Sequence, residues 1–142
     1  MERARAGRRS KPIAIAGFGR EGQSLLKFLR RDPKYRSAEI WILDKDPNVR
    51  KKLPGVHWQV GPSYLDQLER FRVMFRSPGI PYLFRKIQAA IKTGVAVTSA
   101  TKLFFERVGT KPVIIGVTGT KGKGTTATLI HDNLQRDGKR VV

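Results

Sequence analysis

Apolar residues recur along this chain with two alternating periods. Short continuous apolar runs are typical of buried strands, whereas apolar residues three or four positions apart are typical of one face of a helix. The runs predict strands at residues 13–16, 39–43, 56–60, 72–75, 95–98 and 113–117. Because helical segments separate these strands, the pattern predicts βα units and a parallel sheet.

Helical spacing and turn residues mark the segments between the strands. Apolar stripes predict helices at residues 25–29, 83–91, 101–108 and 124–136. Gly94 and Gly138 stand where the C-terminal caps of two of these helices belong. Shorter predicted features are a turn or short helix from Asp46 through residue 52, a helical turn capped by Ser63, and the start of another strand at 140–142.

The order of these elements predicts an α/β fold in two parts. Residues 12–110 are expected to form a Rossmann-like parallel sheet with flanking helices. Residues 111–142 are expected to supply the strand, P-loop and helix that begin a second α/β domain. Residues 1–11 precede both as a basic arm.

Composition excludes several kinds of site. The 142 residues include no cysteine, which excludes a disulfide scaffold, a cysteine-ligated metal centre and a thiol nucleophile. His57 and His131 are the only histidines, so a multi-histidine metal site is excluded as well. No apolar run is long enough to span a bilayer. We therefore expect a cytoplasmic protein that has no membrane partner.

The charge balance raises the alternative of a nucleic-acid-binding module. Lys and Arg number 29 against 11 Asp and Glu, a net charge of +18, which favours anionic partners in general. The basic residues are spread along the chain, however, and do not form one stripe with interleaved aromatic residues. No DNA- or RNA-binding motif is present either, so we expect no nucleic-acid partner.

The first glycine loop follows the first predicted strand and reads G-x-G-x-x-G from Gly17 to Gly22. Glycines let the backbone turn tightly and approach a ligand, and the next helix offers free N–H groups to an anion. Asp44 ends the second strand, where an acidic residue usually meets a ribose hydroxyl. The loop predicts nucleotide binding. NAD is a common ligand of such a unit, although no residue here demands a nicotinamide, and a purely structural turn is the alternative.

The second glycine loop lies between the predicted strand at 113–117 and the last helix. A strand, a glycine loop with Gly-Lys and a helix form a phosphate cradle in which the lysine neutralises the terminal phosphates. The strict Walker pattern is not met, because Val117 replaces its first glycine and Gly124 replaces its hydroxyl residue. The loop predicts ATP binding, with Lys123 as the phosphate-binding residue, against the alternative of a structural glycine loop.

This variant loop, G-T-K-G-K-G-T-T after the strand, resembles the ATP loop of the Mur ligase superfamily. The order of a G-x-G-x-x-G unit, an S-P-G-I turn and then the ATP loop is similar to the branch that adds D-glutamate to UDP-N-acetylmuramoyl-L-alanine. The resemblance covers residues 12–142. It implies that the first domain binds the UDP part of the substrate and not NAD.

The resemblance also implies roles for individual residues, two sets of which are expected to bind nucleotides. The UDP-substrate-binding set is Gly17, Phe18, Gly19, Arg20, Glu21, Gly22, Asp44, Lys45, Ser77, Pro78 and Gly79. The ATP-binding set is Gly119, Thr120, Lys121, Gly122, Lys123, Gly124 and Thr125. Lys123 is the expected catalytic residue, and the hydroxyl of Thr125 is the expected protein ligand of Mg²⁺.

The chemistry implied by the resemblance is an ATP- and Mg²⁺-dependent amide ligation in peptidoglycan synthesis. The substrate carboxylate takes the γ-phosphoryl group as an acyl phosphate, and the amine of D-glutamate then displaces phosphate. Central and amino-acid-binding domains are expected beyond residue 142. We therefore expect a monomeric N-terminal part of the enzyme that is inactive by itself. A nucleotide- or NAD-binding regulatory domain is the alternative function.

Overall fold

The chain is described by a computed structural model that covers residues 11–50, 53–109 and 112–141. It forms two compact units, the first ending at Arg107 and the second starting at Val108. Of the predicted basic arm, residues 1–10 lie outside the described residues, as do residues 51–52 of the predicted turn after Asp46. The predicted domain boundary at residue 111 stays a prediction.

The first unit is built on a five-stranded sheet in the order β3-β2-β1-β4-β5, in which every pairing is parallel. The strands are β1 (Ile13–Ala16), β2 (Ile40–Asp44), β3 (Val56–Val60), β4 (Val73–Arg76) and β5 (Ala96–Thr98). The chain first moves outward from β1 to β3 and then continues on the other side of β1. This order is that of a doubly wound fold, and it confirms the predicted Rossmann-like α/β sheet.

Helices cover both faces of the sheet. They are α1 (Arg20–Leu29), α2 (Arg85–Lys92) and α3 (Ala100–Val108) in the first unit. Ile13 and Ile15 face α1 and α3, whereas Ala14 and Ala16 face α2, since successive side chains of a strand point to opposite faces. Burial on both faces explains why β1 is an unbroken apolar run without polar alternation.

An ion pair between a buried aspartate and an exposed arginine joins the ends of α1 and α3. Asp32, just after α1, is buried, and its carboxylate accepts from Nε of Arg107 at 2.7 Å and from the N–H of Lys34 at 2.8 Å. The hydrogen bond from Arg107 is the main reason that the pKa of Asp32 is lowered below its ordinary value. The pair therefore anchors the last residue of the first unit to the turn that follows α1.

The short elements of the first unit follow the prediction only in part. Asp46 accepts from the N–H of Asn48 at 2.9 Å and caps a short 3-10 helix at Pro47–Val49, which confirms the helical turn predicted there. The prediction for Ser63 is wrong, because the 3-10 turn Leu68–Arg70 begins only after Gln67. The carbonyl of Ser63 instead accepts from the N–H of Asp66 at 3.0 Å in a separate turn.

The second unit contains α4 (Lys123–Arg136), where the sequence predicts a helix. The strand predicted at 113–117 is wrong, because residues 113–119 adopt no regular structure. A parallel strand needs a neighbour for its hydrogen bonds, and no strand lies within the described stretch 112–141. For the same reason residues 139–141 form no strand, and residue 142 lies outside the described part.

Two further features are absent from the described part of the chain. No helix found there combines the length and apolar character that crossing a membrane requires. No cluster of three or more acidic, histidine or cysteine side chains there is arranged to hold a metal ion.

Candidate functional site

The sheet brings all three segments predicted to bind UDP to one edge. Residues 17–22 follow β1, Asp44 ends β2, and residues 77–79 follow β4. Because the strands are parallel, their carboxyl ends lie along the same edge of the sheet. The strand order reverses between β1 and β4, and the crevice outside such a reversal is where ligands of this fold class bind.

The loops after β1 and β4 are packed directly against each other. Gly17 has a φ of +91°, and a Cβ placed on it would lie 2.3 Å from Oγ of Ser77 and 2.8 Å from its Cβ. The N–H of Ser77 donates to the carbonyl of Ala16 at 2.9 Å, which extends the strand pairing into the loops. Only glycine satisfies both the backbone angle and the contact at position 17.

Gly22 is required for a different reason. It lies in the first turn of α1, and a Cβ on it would come within 2.2 Å of the carbonyl oxygen of Gly17. The helix therefore rests on the backbone of its own preceding loop, which is the role of the third glycine in this motif. Gly19 caps α1 without a side-chain hydrogen bond, so no side chain covers the helix N-terminus at the cap.

Asp44 joins the loops that follow β1 and β2. Its Oδ2 accepts from the N–H of Phe18 at 2.7 Å, and its Oδ1 accepts from the N–H of Asp46 at 2.9 Å. Lys45, the next residue, is exposed. The phenyl ring of Phe18 is buried and meets Trp58 edge to face at 5.2 Å between ring centres. Within the loop after β1, Phe18 therefore offers only its backbone to a ligand.

Tyr64 lies close enough to Asp44 for the carboxylate to change the pKa of the Tyr64 phenol. Burial raises the pKa of the Tyr64 phenol, and the carboxylate of Asp44 raises it further. The hydroxyl is therefore neutral at physiological pH and keeps its proton as a hydrogen-bond donor. Sequence reasoning did not single out this residue, because its approach to Asp44 depends on the fold.

A cavity of only about 10 Å³ lies between the two loops. Its lining residues are Ile15, Ala16, Gly17, Glu21, Gly22, Leu25, Phe75, Arg76, Ser77 and Ala100. Four of the predicted residues are in this set, whereas Gly19, Pro78 and Gly79 lie exposed in the adjoining loops and Arg20 lies exposed at the start of α1. Arg76 was missed by the sequence analysis. In the sequence, Arg76 could have been noticed as a charged residue directly before the Ser-Pro-Gly turn. The predicted strand ended at residue 75, one residue before the end of β4.

The second glycine loop lies in the second unit. Gly119 and Gly122 have φ angles of +152° and +75°, which only glycine adopts readily. Nζ of Lys123 donates to the carbonyl of Gly119 at 2.6 Å and to that of Thr120 at 3.4 Å, so the ammonium closes the loop on itself. The whole predicted ATP-binding set, from Gly119 to Thr125, is exposed.

The second glycine loop has two features that a phosphate-binding loop needs, namely free backbone N–H groups and a nearby cation. α4 starts without a side-chain cap and without an acidic residue in its first turn, so its N-terminal N–H groups are open to an anion. The Lys123 ammonium would exchange loop carbonyls for phosphate oxygens. The hydroxyl of Thr125 could serve as a protein ligand of Mg²⁺. Mg²⁺ in nucleotide sites takes one or two protein ligands and completes its coordination with phosphate oxygens and water, so a single hydroxyl would fit such a site.

Comparison with known proteins identifies the family of the chain. The family described as Mur ligase MurD-like, N-terminal domain, matches residues 11–99. Proteins named UDP-N-acetylmuramoylalanine--D-glutamate ligase are similar over 92% of this chain, at 34% identity in Acetivibrio thermocellus and 31% in Clostridium novyi. The corresponding protein of Methylobacillus flagellatus is 29% identical over 94% of the chain.

The match covers less than a third of the length of these relatives. The chain spans 28% of the length of the Acetivibrio protein, 29% of the Clostridium protein and 30% of the Methylobacillus protein. The family match extends over more than half of this chain and includes every strand of the sheet as well as the two loops of the crevice. The chain therefore belongs to the Mur ligase family, and its residues 11–99 are a MurD-like N-terminal domain.

Proposed function

We propose that the first unit binds the UDP moiety of UDP-N-acetylmuramoyl-L-alanine along the edge of the sheet that the loops after β1 and β4 form. The close packing of Gly17 on Ser77 carries this proposal, because it sets two backbone segments side by side at the strand-order reversal. The name of these relatives contains the same UDP-sugar, which supports the choice of ligand. The protein would use this domain to hold the substrate for addition of D-glutamate.

In this proposal each loop has its own part of the ligand. Asp44 and Lys45 would lie beside the uridine, where the Asp44 carboxylate already orders the loops after β1 and β2. Residues 17–22 and 77–79 would face the uridine and the diphosphate. The N–H of Gly79 makes no hydrogen bond to the described residues and so is available to a phosphate oxygen.

The second glycine loop would hold ATP. Lys123 would neutralise charge on the β- and γ-phosphates, and Thr125 would contribute its hydroxyl to Mg²⁺, which lowers the repulsion between phosphates when bound. The substrate carboxylate would attack the γ-phosphorus and release ADP, and the amine of D-glutamate would then attack the acyl carbon and release phosphate. Lys123 would act in this sequence by electrostatics, not by covalent chemistry.

Calorimetric titration of the 142-residue chain with UDP and with NAD tests the proposal against a dinucleotide-binding regulatory domain. We expect UDP to bind and NAD to bind at least about ten-fold more weakly, a difference of about 1.4 kcal/mol. Preferential binding of NAD would contradict the proposal. Salt-sensitive binding of single-stranded DNA together with no binding of UDP would support the nucleic-acid alternative instead.

A pair of glycine variants locates the site. Gly17→Ala places a methyl group against Ser77, whereas Gly94→Ala introduces the same strain at a φ of +89° with no atom within 4 Å. We expect Gly17→Ala to weaken UDP binding by at least about ten-fold and Gly94→Ala to leave it within about two-fold. Equal losses in the two variants would place the site elsewhere.

D-glutamate-dependent phosphate release is not expected from the chain by itself.

A further inference from the structure

The end of α1 and the turn that follows it carry a group of exposed cations. Lys27, Arg31, Lys34 and Arg36 are exposed, and none of them forms an ion pair with a residue that the structure describes. We call these four residues the cationic patch. None of them belongs to the residues predicted to bind UDP or ATP, so the proposed function leaves the patch unexplained.

Buried residues fix the side of the segment on which the patch lies. Leu29, Asp32 and Tyr35 are buried at intervals of three residues. Asp32 accepts from Arg107 at 2.7 Å, and the ring of Tyr35 meets that of Phe75 edge to face at 5.5 Å between ring centres. The residues of the patch stand between and beside these anchors and are exposed, so the fold presents them to solvent.

No acidic side chain offsets the charge of the patch along this segment. Asp32 is the only acid between residues 22 and 38, and it is buried and already paired. A helix dipole favours cations at a helix C-terminus, but that effect ends within the last turn and does not reach Lys34 or Arg36. The patch therefore carries more positive charge than α1 itself requires.

Exposed aromatic rings accompany the cations. Phe28 stands next to Lys27 in α1 and is 43% exposed. The neighbouring helix α3, which Arg107 joins to the turn after α1, adds the exposed residues Phe104 and Phe105. Phenylalanine rings beside lysine and arginine are typical of protein surfaces that bind at the headgroup level of a membrane.

The position of the patch keeps it away from the proposed UDP site. α1 begins after the loop that follows β1 and ends at the turn that leads into β2. The patch is therefore at the amino-terminal edge of the sheet, whereas the loops proposed to bind UDP follow the carboxyl ends of the strands. A partner on the patch would leave the nucleotide edge open.

Charge complementarity requires a partner with a dense negative surface, which both an anionic bilayer and a nucleic acid present. The placement of Phe28 favours the bilayer. Nucleic-acid bases stack on rings that stand on a sheet or in a groove, whereas Phe28 stands on the outside of a helix. The expectation of no membrane partner came from the lack of a spanning segment, which does not bear on a peripheral contact.

We propose that the cationic patch and Phe28 bind peripherally to the surface of an anionic lipid bilayer. The four cations lie against the lipid phosphates, and the Phe28 ring enters the headgroup region. Each cation near such a surface raises the affinity about five-fold. This inference is independent of the nucleotide that the opposite edge of the sheet binds.

Sedimentation of the 142-residue chain with lipid vesicles tests the proposal. We expect binding to phosphatidylcholine vesicles that contain about one third phosphatidylglycerol, and none to pure phosphatidylcholine. The double variant Lys27→Gln with Arg31→Gln should bind the anionic vesicles about 25-fold more weakly, about five-fold for each charge. Phe28→Ala, which keeps every charge, should bind about five-fold more weakly.

A second double variant, Arg85→Gln with Lys92→Gln, is the matched control. It removes one arginine and one lysine as well, but from α2, which covers the other face of the sheet. Its binding should stay within about three-fold of the unchanged chain, because the patch is intact. Thermal unfolding followed by circular dichroism verifies that each variant is folded.

Three outcomes would overturn the proposal. The first is that the unchanged chain binds neither kind of vesicle. The second is an equal loss in the two double variants, because the attraction would then come from the total charge of +18 and not from the patch. The third is binding of single-stranded DNA without binding of anionic vesicles, which would assign the patch to a nucleic acid. A chain that binds anionic vesicles but no UDP would contradict the proposed function alone.

Discussion

The two glycine loops of this chain are held by different forces. The first follows a strand whose residues are at most 1% exposed, and it touches neighbouring loops on two sides. The second follows a segment in which Val113 is 91% exposed, and it precedes a helix with no buried residue. The conformation of the first glycine loop is therefore fixed by the residues packed around it. The conformation of the second depends on its own backbone angles and hydrogen bonds.

The glycines themselves show this difference. Gly17 and Gly22 are needed because other atoms already occupy the place of a side chain. Gly119 and Gly122 are needed because of their backbone angles, and a Cβ on Gly122 would meet no atom within 4 Å. A glycine motif can thus serve close packing or backbone geometry, and only the surroundings in the fold tell which.

Amide hydrogen exchange should show the largest contrast between the two units. Amides of β1 and β2 open only with the whole unit, so we expect protection of at least about 10³-fold. α4 has no buried residue, and isolated helices of this length are marginal, so protection below about ten-fold is expected there. Mass spectrometry of peptides from 13–44 and 113–136 checks this, and equal protection would mean that the second unit is packed as firmly as the first.

A matched pair of leucine substitutions should show the next largest effect. Leu29 is fully buried in α1, whereas Leu129 in α4 is 58% exposed. We expect Leu29→Ala to lower the free energy of unfolding by about 2–5 kcal/mol through the cavity that it leaves. Leu129→Ala should change it by less than about 0.5 kcal/mol. Urea unfolding followed by circular dichroism provides the comparison, and similar losses in both variants would contradict it.

Alanine at matched glycines in the first turns of the two helices should have opposite effects. Gly22→Ala forces a methyl group onto the carbonyl oxygen of Gly17, and we expect a loss of about 1–3 kcal/mol from overpacking. Gly124→Ala meets no atom within 4 Å and should favour α4 by about 0.5–1 kcal/mol. Urea unfolding measures the first and helical circular dichroism the second. Tolerance of Gly22→Ala would show that the loop after β1 can move.

The smallest effect concerns the last residue of the first unit. Because the folded pKa of Asp32 is below its ordinary value, the Asp32–Arg107 pair stabilises the fold above about pH 4. That contribution is lost as the pH falls further, through the folded pKa. Arg107→Ala should therefore be less stable than the unchanged chain at pH 7, and the difference should shrink in acid.

Unfolding titrations between pH 7 and pH 2 measure this difference. Lys102→Ala is the control, because it removes an exposed cation from the same helix without touching Asp32. A stability difference for Arg107→Ala that does not depend on pH would contradict the role of the pair. It would also mean that α3 is held by its apolar contacts through Ala100 and Leu103.

The sequence predicted the strands of the sheet correctly, because each is a short run of apolar residues. The five strands of the sheet lie within one residue of their predicted ends, since apolar runs bounded by turn residues determine them locally. Residues 113–117 have the same apolar pattern and form no strand. An apolar run predicts the tendency to be buried, but a strand also requires a partner strand for its backbone hydrogen bonds.

The sequence by itself determined the parallel α/β order, the positions of both glycine loops and the resemblance to the Mur ligase superfamily. These depend on local periodicity, on spacing and on short motifs. The tertiary structure alone decided that Gly17 packs on Ser77, that Asp44 ties two loops together and that Arg76 lines the cavity between the loops. These contacts join residues far apart in sequence, and only the pairing of β1 with β2 and β4 brings them to one edge of the sheet.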